Sequence, residues 1–73
     1  MEDIKGYILE SGISVPYDYY IGGSHLQRGE KQPNVTATKD NAKVYKTEKS
    51  AQNAADRINK YTTDYNFYVI ESR

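Results

Sequence analysis

The chain has 73 residues, room for one small domain, which excludes a multidomain enzyme. Ile, Leu, Val and Phe supply only 13 of the 73, a share typical of disordered chains when net charge is high, but here ten basic residues balance ten acidic ones. That balance argues against duplex DNA as a partner, and the absence of cysteine rules out disulfides and thiolate zinc sites. Eight tyrosines fill the apolar deficit, each adding a large ring with a polar tip. The expectation is one folded domain over residues 1–73 with a thin, tyrosine-supplemented core. Chains this short often gain stability by self-association, so a homo-oligomer is also expected by elimination.

Ile4-Lys5-Gly6-Tyr7-Ile8-Leu9-Glu10 reads as a first strand, rich in β-branched and aromatic residues and stopped by Ser11-Gly12. Ile13-Ser14-Val15-Pro16 follows in extended form because the proline restricts Val15. Tyr17-Asp18-Tyr19-Tyr20-Ile21 reads as a second strand, antiparallel to the first, with Tyr19 and Ile21 on one face and Asp18 and Tyr20 on the other. Gly22-Gly23 is expected to end it. Residues 22–41 are polar, with Pro33 and few apolar members, and read as a long loop in which Asn34-Val35-Thr36-Ala37 pairs at a sheet edge.

Ala42-Lys43-Val44-Tyr45-Lys46 is a short strand candidate. Behind it, Ala51, Ala54, Ala55, Ile58 and Tyr61 share one helical face, which predicts a helix over about 47–61. Thr47 caps it through its hydroxyl, and Asp56 and Lys60 form an i,i+4 pair. Asn66-Phe67-Tyr68-Val69-Ile70-Glu71 closes the chain as a strand, apolar on both faces and therefore read as central. The fold class is α+β: a three- to four-stranded, largely antiparallel sheet with one amphipathic helix on one face, in the order β-β-loop-β-α-β. The alanine face lets the helix lie close to the sheet, with Tyr45, Tyr61 and Phe67 completing the core there.

No residue pattern identifies an activity. The carboxylates are scattered, no serine stands in a nucleophile elbow, and His25 is the only histidine. No enzyme, catalytic residue, cofactor or metal site is expected; His25 reads as a solvated loop residue. Gly22, Gly23, His25, Arg28 and Lys31 lie in a glycine-rich basic segment that could offer backbone N–H groups and cations to an anion. Its spacing matches neither a P-loop nor a dinucleotide fingerprint, so a flexible hairpin loop is the plainer reading. Tyr17, Tyr19 and Tyr20 exceed what a small sheet needs and are expected, with Tyr65, at a contact surface. Asn34-Val35-Thr36 fits the glycosylation pattern, which carries no meaning outside a secretory context. The acidic start Met1-Glu2-Asp3 lacks a following apolar run, and no stretch approaches the roughly 18 apolar residues of a spanning segment. A cytoplasmic protein without a membrane partner is expected.

The segment Ala42 to Asp56, followed by Phe67-Tyr68-Val69-Ile70-Glu71, resembles the C-terminal half of small uncharacterised proteins encoded by phages and prophages of low-GC Gram-positive bacteria. The resemblance covers less than half the chain and transfers no functional residue. It implies an accessory or anti-defence role in the host cytoplasm, exercised by binding. Two targets follow: a host protein met by Tyr17, Tyr19 and Tyr20, or a small anionic, nucleotide-like signal held where a Tyr ring meets Arg28, Lys31 or a glycine amide. The alternative is a single-stranded nucleic-acid-binding module with the tyrosines as stacking platforms.

Overall fold

The computed structural model describes residues 6–12 and 17–72; Ile4, Lys5 and the Ile13–Pro16 stretch lie outside the described residues. It contains β1 (Gly6–Ser11), β2 (Asp18–Gln27), β3 (Glu30–Thr36), a 3₁₀ turn at Lys39–Asn41, α1 (Glu48–Tyr61) and β4 (Phe67–Ser72). The strands form one antiparallel sheet in the order β3-β2-β1-β4, and α1 covers one face. The expected α+β class and the helix are both present.

Thr47 caps α1 as its hydroxyl implied, accepting from Ser50 N at 3.1 Å. Asp56 is not joined to Lys60; it accepts from Gln52 one turn earlier, at 3.0 Å. The buried stripe Ala51, Ala54, Ala55 and Ile58 lies on Leu9 and Phe67, ringed by half-buried Tyr7, Tyr20, Tyr45, Tyr61 and Tyr65. Tyr65 stacks on Phe67 at 5.5 Å and Tyr20 meets it edge-on at 6.1 Å. The opposite sheet face buries Ile8, Tyr19 and Ala42, with Tyr17 and Ile70 packed beside them. Ile8 and Leu9 are buried almost completely, each contributing about 1.5–3 kcal/mol.

Three sequence readings are corrected. First, residues 22–41 are not a long loop. Gly22-Gly23 does not end β2; it forms a bulge with φ of 105° and 76°, where the register jumps from Tyr20↔Val35 to Ser24↔Pro33. Asn34 bridges this bulge by donating to the Gly22 carbonyl at 2.9 Å. The hairpin then closes at Arg28-Gly29, both with positive φ, as a two-residue primed turn requires. The distal hairpin is solvated, with Leu26 77% exposed, so no hydrophobic alternation marked it. Of the expected edge pairing of Asn34-Val35-Thr36-Ala37, Val35 and Thr36 pair with Tyr20 and Tyr19 on the edge strand β3, whereas Asn34 falls at the bulge and Ala37 lies beyond the strand.

Second, Ala42–Lys46 is not a full strand but a wedge. β1 and β2 pair only at Glu10↔Tyr19 and Ser11↔Asp18. Beyond that point Lys43 N donates to the Tyr20 carbonyl of β2 at 2.9 Å, while Tyr45 exchanges bonds of 2.7 and 2.8 Å with Tyr7 of β1. The segment thereby occupies the gap where the strands splay. Gly6 admits it, because a Cβ there would collide with the Tyr45 carbonyl and Val44 Cγ1.

Third, β4 is an edge strand rather than a central one, because it pairs with β1 alone. Its two-sided apolarity answers to α1 above and Ile8 and Tyr17 below. At its start the Asn59 side chain acts as a surrogate strand, donating to the Phe67 carbonyl at 3.0 Å and accepting from Phe67 N at 2.9 Å.

A buried polar latch ties the end of α1 to the hairpin. Thr62 Oγ1 donates to Gln32 Oε1 at 2.9 Å, and Gln32 Nε2 donates to Asp64 Oδ2 at 2.9 Å. On the opposite sheet face the Tyr68 hydroxyl donates to Glu10 at 2.6 Å, with the Gly12 carbonyl 3.0 Å away. The bond to Glu10, then burial and the carboxylate charge, push the Tyr68 pKa up to about 12.

Replacing Gly6 by Ala should destabilise the fold by about 1–3 kcal/mol through overpacking against the wedge, read as a fall in urea midpoint. Arg28→Asn should raise stability by up to about 1 kcal/mol, since Asn tolerates the left-handed turn position better than Arg. Tyr68 is protonated in the folded state above the unfolded value of about 10, so its contribution is complete below that pH and lost as pH rises through about 12. The stability gap between the native chain and Tyr68→Phe should therefore be constant from pH 7 to 9 and close above pH 11. A gap independent of alkaline pH would show that the Glu10 bond does not hold the Tyr68 hydroxyl protonated in the folded state.

Candidate functional site

The splay of β1 and β2 and the flat alanine face of α1 leave a cleft of about 210 Å³ beside the helix. Tyr20 of β2, Lys31 of β3, Lys43 and Tyr45 of the wedge, and Arg57 and Tyr61 of α1 line it. Ala54 and Ile58 form its apolar wall, and the bulge residue Gly23 and Ser24 border it.

Local structure places each group. In α1, Arg57 and Tyr61 are one turn apart, so they follow Ala54 along the same edge of the buried stripe. In the extended wedge, Lys43 and Tyr45 alternate with Val44 and emerge together on the helix side. The Lys43 stem passes the bulge, its Cδ 3.4 Å from the position a Cβ of Gly22 would take.

Each lysine covers a ring. Lys31 Nζ is 4.6 Å from the Tyr61 centroid and Lys43 Nζ is 5.4 Å from the Tyr45 centroid, within cation–π range. Burial, then the neighbouring Tyr20 hydroxyl, raise the pKa of both Tyr45 and Tyr61. The Arg57 charge opposes this in each case. Both hydroxyls are accordingly protonated at neutral pH and available as donors.

Among the described residues, no carboxylate and no histidine lines the cleft. Three cations thus converge in a chain whose net charge is zero. Their field favours an anion, and the rings offer flat apolar faces beside it. Among the described residues Ser24 is the single aliphatic hydroxyl at the border, with no carboxylate or histidine in the lining to activate it.

The sequence-predicted residues divide among several places. Tyr20, Gly23 and Lys31 come together in the cleft, and Gly22 backs Lys43. Arg28 does not reach it, being held at the hairpin turn. Tyr19 is buried on the opposite face at 8% exposure, and Tyr17 packs beside it. Tyr17, Tyr19 and Tyr20 therefore form no common surface, because the strand alternation sends Tyr20 to the helix side. Tyr65 likewise belongs to the core margin, stacked on Phe67. Lys43, Tyr45, Arg57 and Tyr61 were missed as site residues, although the spacing of Lys43 with Tyr45 and of Arg57 with Tyr61 already put each pair on one side of its element.

His25 lines a different groove, of about 270 Å³, together with Asn34, Gln32, Asp64 and Tyr65. Its polar groups are taken up internally. His25 Nδ1 lies 2.7 Å from Asn34 Oδ1, and Gln32 is committed to Asp64 and Thr62. The Asn34 amide of the glycosylation pattern is likewise engaged, with His25 and the Gly22 carbonyl. Among the described residues no group of three or more His, Asp or Glu side chains could hold a metal ion, and no helix is long and apolar enough to cross a membrane.

No family model matches the chain, and neither a curated protein nor a solved structure matches it.

Proposed function

We propose that this chain is a non-catalytic binding protein that sequesters a small anionic, nucleotide-like ligand in the cleft between α1 and the β2–β3 hairpin. The observation that carries this reading is the convergence of Lys31, Lys43 and Arg57 on Tyr20, Tyr45 and Tyr61 without an intervening carboxylate. Cations on opposite walls attract an anion that no acidic neighbour among the described residues repels, and the Tyr20, Tyr45 and Tyr61 rings give its apolar part a surface. With no carboxylate or histidine among the described residues that line the cleft with Ser24, we read the ligand as held rather than converted. In the phage setting that the C-terminal half resembles, retaining a host nucleotide signal in this way would serve an anti-defence role.

The two other readings fare less well. A host protein met by Tyr17, Tyr19 and Tyr20 would need those rings on one exposed surface, and they lie on two faces. Single-stranded nucleic acid on the sheet face opposite α1 would meet buried Tyr19 and a Tyr68 hydroxyl already bound to Glu10.

Calorimetry with nucleoside mono-, di- and triphosphates and inorganic triphosphate tests the reading. Binding should weaken as salt rises, and Arg57→Ala should lower affinity by about tenfold, the loss of one charge-assisted contact of about 1.5 kcal/mol. The reading is wrong if no member of the panel binds at low salt, or if Arg57→Ala binds as tightly as the native chain.

A further inference from the structure

Resting on that reading, the geometry points to a nucleoside polyphosphate as the ligand class, recognised only when ring and phosphates are present on the same molecule. The Tyr45 and Tyr61 ring faces are covered before a ligand arrives. Lys31 Nζ stands 4.6 Å over Tyr61, so that ring's exposed face is occupied by the protein's own ammonium. A ligand with a ring but no charge must displace Lys31 and return nothing to it. A ligand with phosphates but no ring can draw Lys31 away, and then leaves Tyr61 bare. Either half alone forfeits the cation–π contact. A nucleotide offsets the loss twice, because its base takes the Tyr61 face while its phosphates receive the displaced ammonium.

The two lysines differ in freedom, which decides which one moves. Lys43 comes from a segment bonded to both β1 and β2, and its stem runs close against Gly22. Lys31 stands on the edge strand β3, opposite exposed Leu26 in the solvated part of the hairpin. Lys31 is therefore the mobile cover, and Lys43 with Arg57 forms the anion seat. Three cations with no carboxylate match a di- or triphosphate better than a monophosphate, which brings about two charges at neutral pH. The cleft, at about 210 Å³, falls below the roughly 300–1,000 Å³ of sites that enclose drug-sized ligands, so the sugar is left at the mouth.

The test compares adenosine, inorganic triphosphate and adenosine triphosphate, with the guanosine pair in parallel, on the native chain and on Lys31→Ala. A nucleoside triphosphate should bind the native chain at least about tenfold tighter than inorganic triphosphate, the worth of one stacked base. Lys31→Ala should weaken nucleoside triphosphate binding by about tenfold yet strengthen binding of the uncharged nucleoside by about fivefold, since the Tyr61 face is then open. A merely structural role for Lys31 would weaken both. Inorganic triphosphate binding as tightly as the nucleotides would overturn this inference while leaving the anion cleft standing. Failure of every anion to bind would overturn both.

Discussion

The wedge of residues 42–45 between β1 and β2 is the constraint on which the rest of the arrangement turns. Two antiparallel strands that pair at one end and separate at the other leave backbone groups without partners, and a buried unpaired group costs about 1–3 kcal/mol. Here the gap is closed by Lys43, bonded to Tyr20, and by Tyr45, bonded to Tyr7. Gly6 eases the insertion, because it lacks a Cβ where Tyr45 and Val44 approach. Its consequences reach in two directions. The wedge buries Ala42 on one face of the sheet and delivers Lys43 and Tyr45 to the other. It also frees the outer half of β2 to leave the sheet body, which the Gly22-Gly23 bulge accommodates.

The core around this wedge is small, and its shape follows from alanine. Three alanines on α1 bring the helix onto Leu9 and Phe67 with little side-chain volume between them. Bulk is instead supplied at the margins by tyrosine rings, whose hydroxyls remain near water. That distribution explains how a chain with so few large aliphatic residues folds. It also explains why a cleft lined by rings lies beside the helix: the same tyrosines that complete the core form its walls. Core and site are not separate populations of residues here.

Charge is organised in the same local way. Several acidic groups are tied to uncharged partners away from the cleft: Glu10 to Tyr68, Asp56 to Gln52, and Asp64 to Gln32. Lys31, Lys43 and Arg57 converge where no carboxylate of the described residues lines the wall. A neutral total therefore conceals a local positive field, strong at the few ångströms that separate a ligand from the wall and screened beyond about 10 Å at moderate salt. Net charge bears on long-range association with a polyanion; it says little about a pocket of this size.

The sequence by itself determined the α+β class, the helix with its Thr47 cap and alanine face, the antiparallel first pair of strands and the strand after the helix. These rest on contacts near in sequence and on periodicity, which a linear chain displays directly. It also placed Tyr45, Tyr61 and Phe67 on the helix side, and drew attention to Tyr20, Gly23 and Lys31. Only the tertiary structure decided that residues 22–36 form a bulged hairpin, because the outer half of β2 is exposed, β3 buries Gln32 and Pro33 in place of alternating aliphatic residues, and the turn carries Arg28 in place of the usual Asn or Gly. Only the tertiary structure put β4 at an edge, since apolarity on two faces reports covering layers and not neighbouring strands. The cleft itself depended on it most. Lys31, Lys43 and Arg57 stand on three different elements, and what brings them together is the backbone pairing of a wedge whose partners lie tens of residues away, a relation that no local pattern encodes.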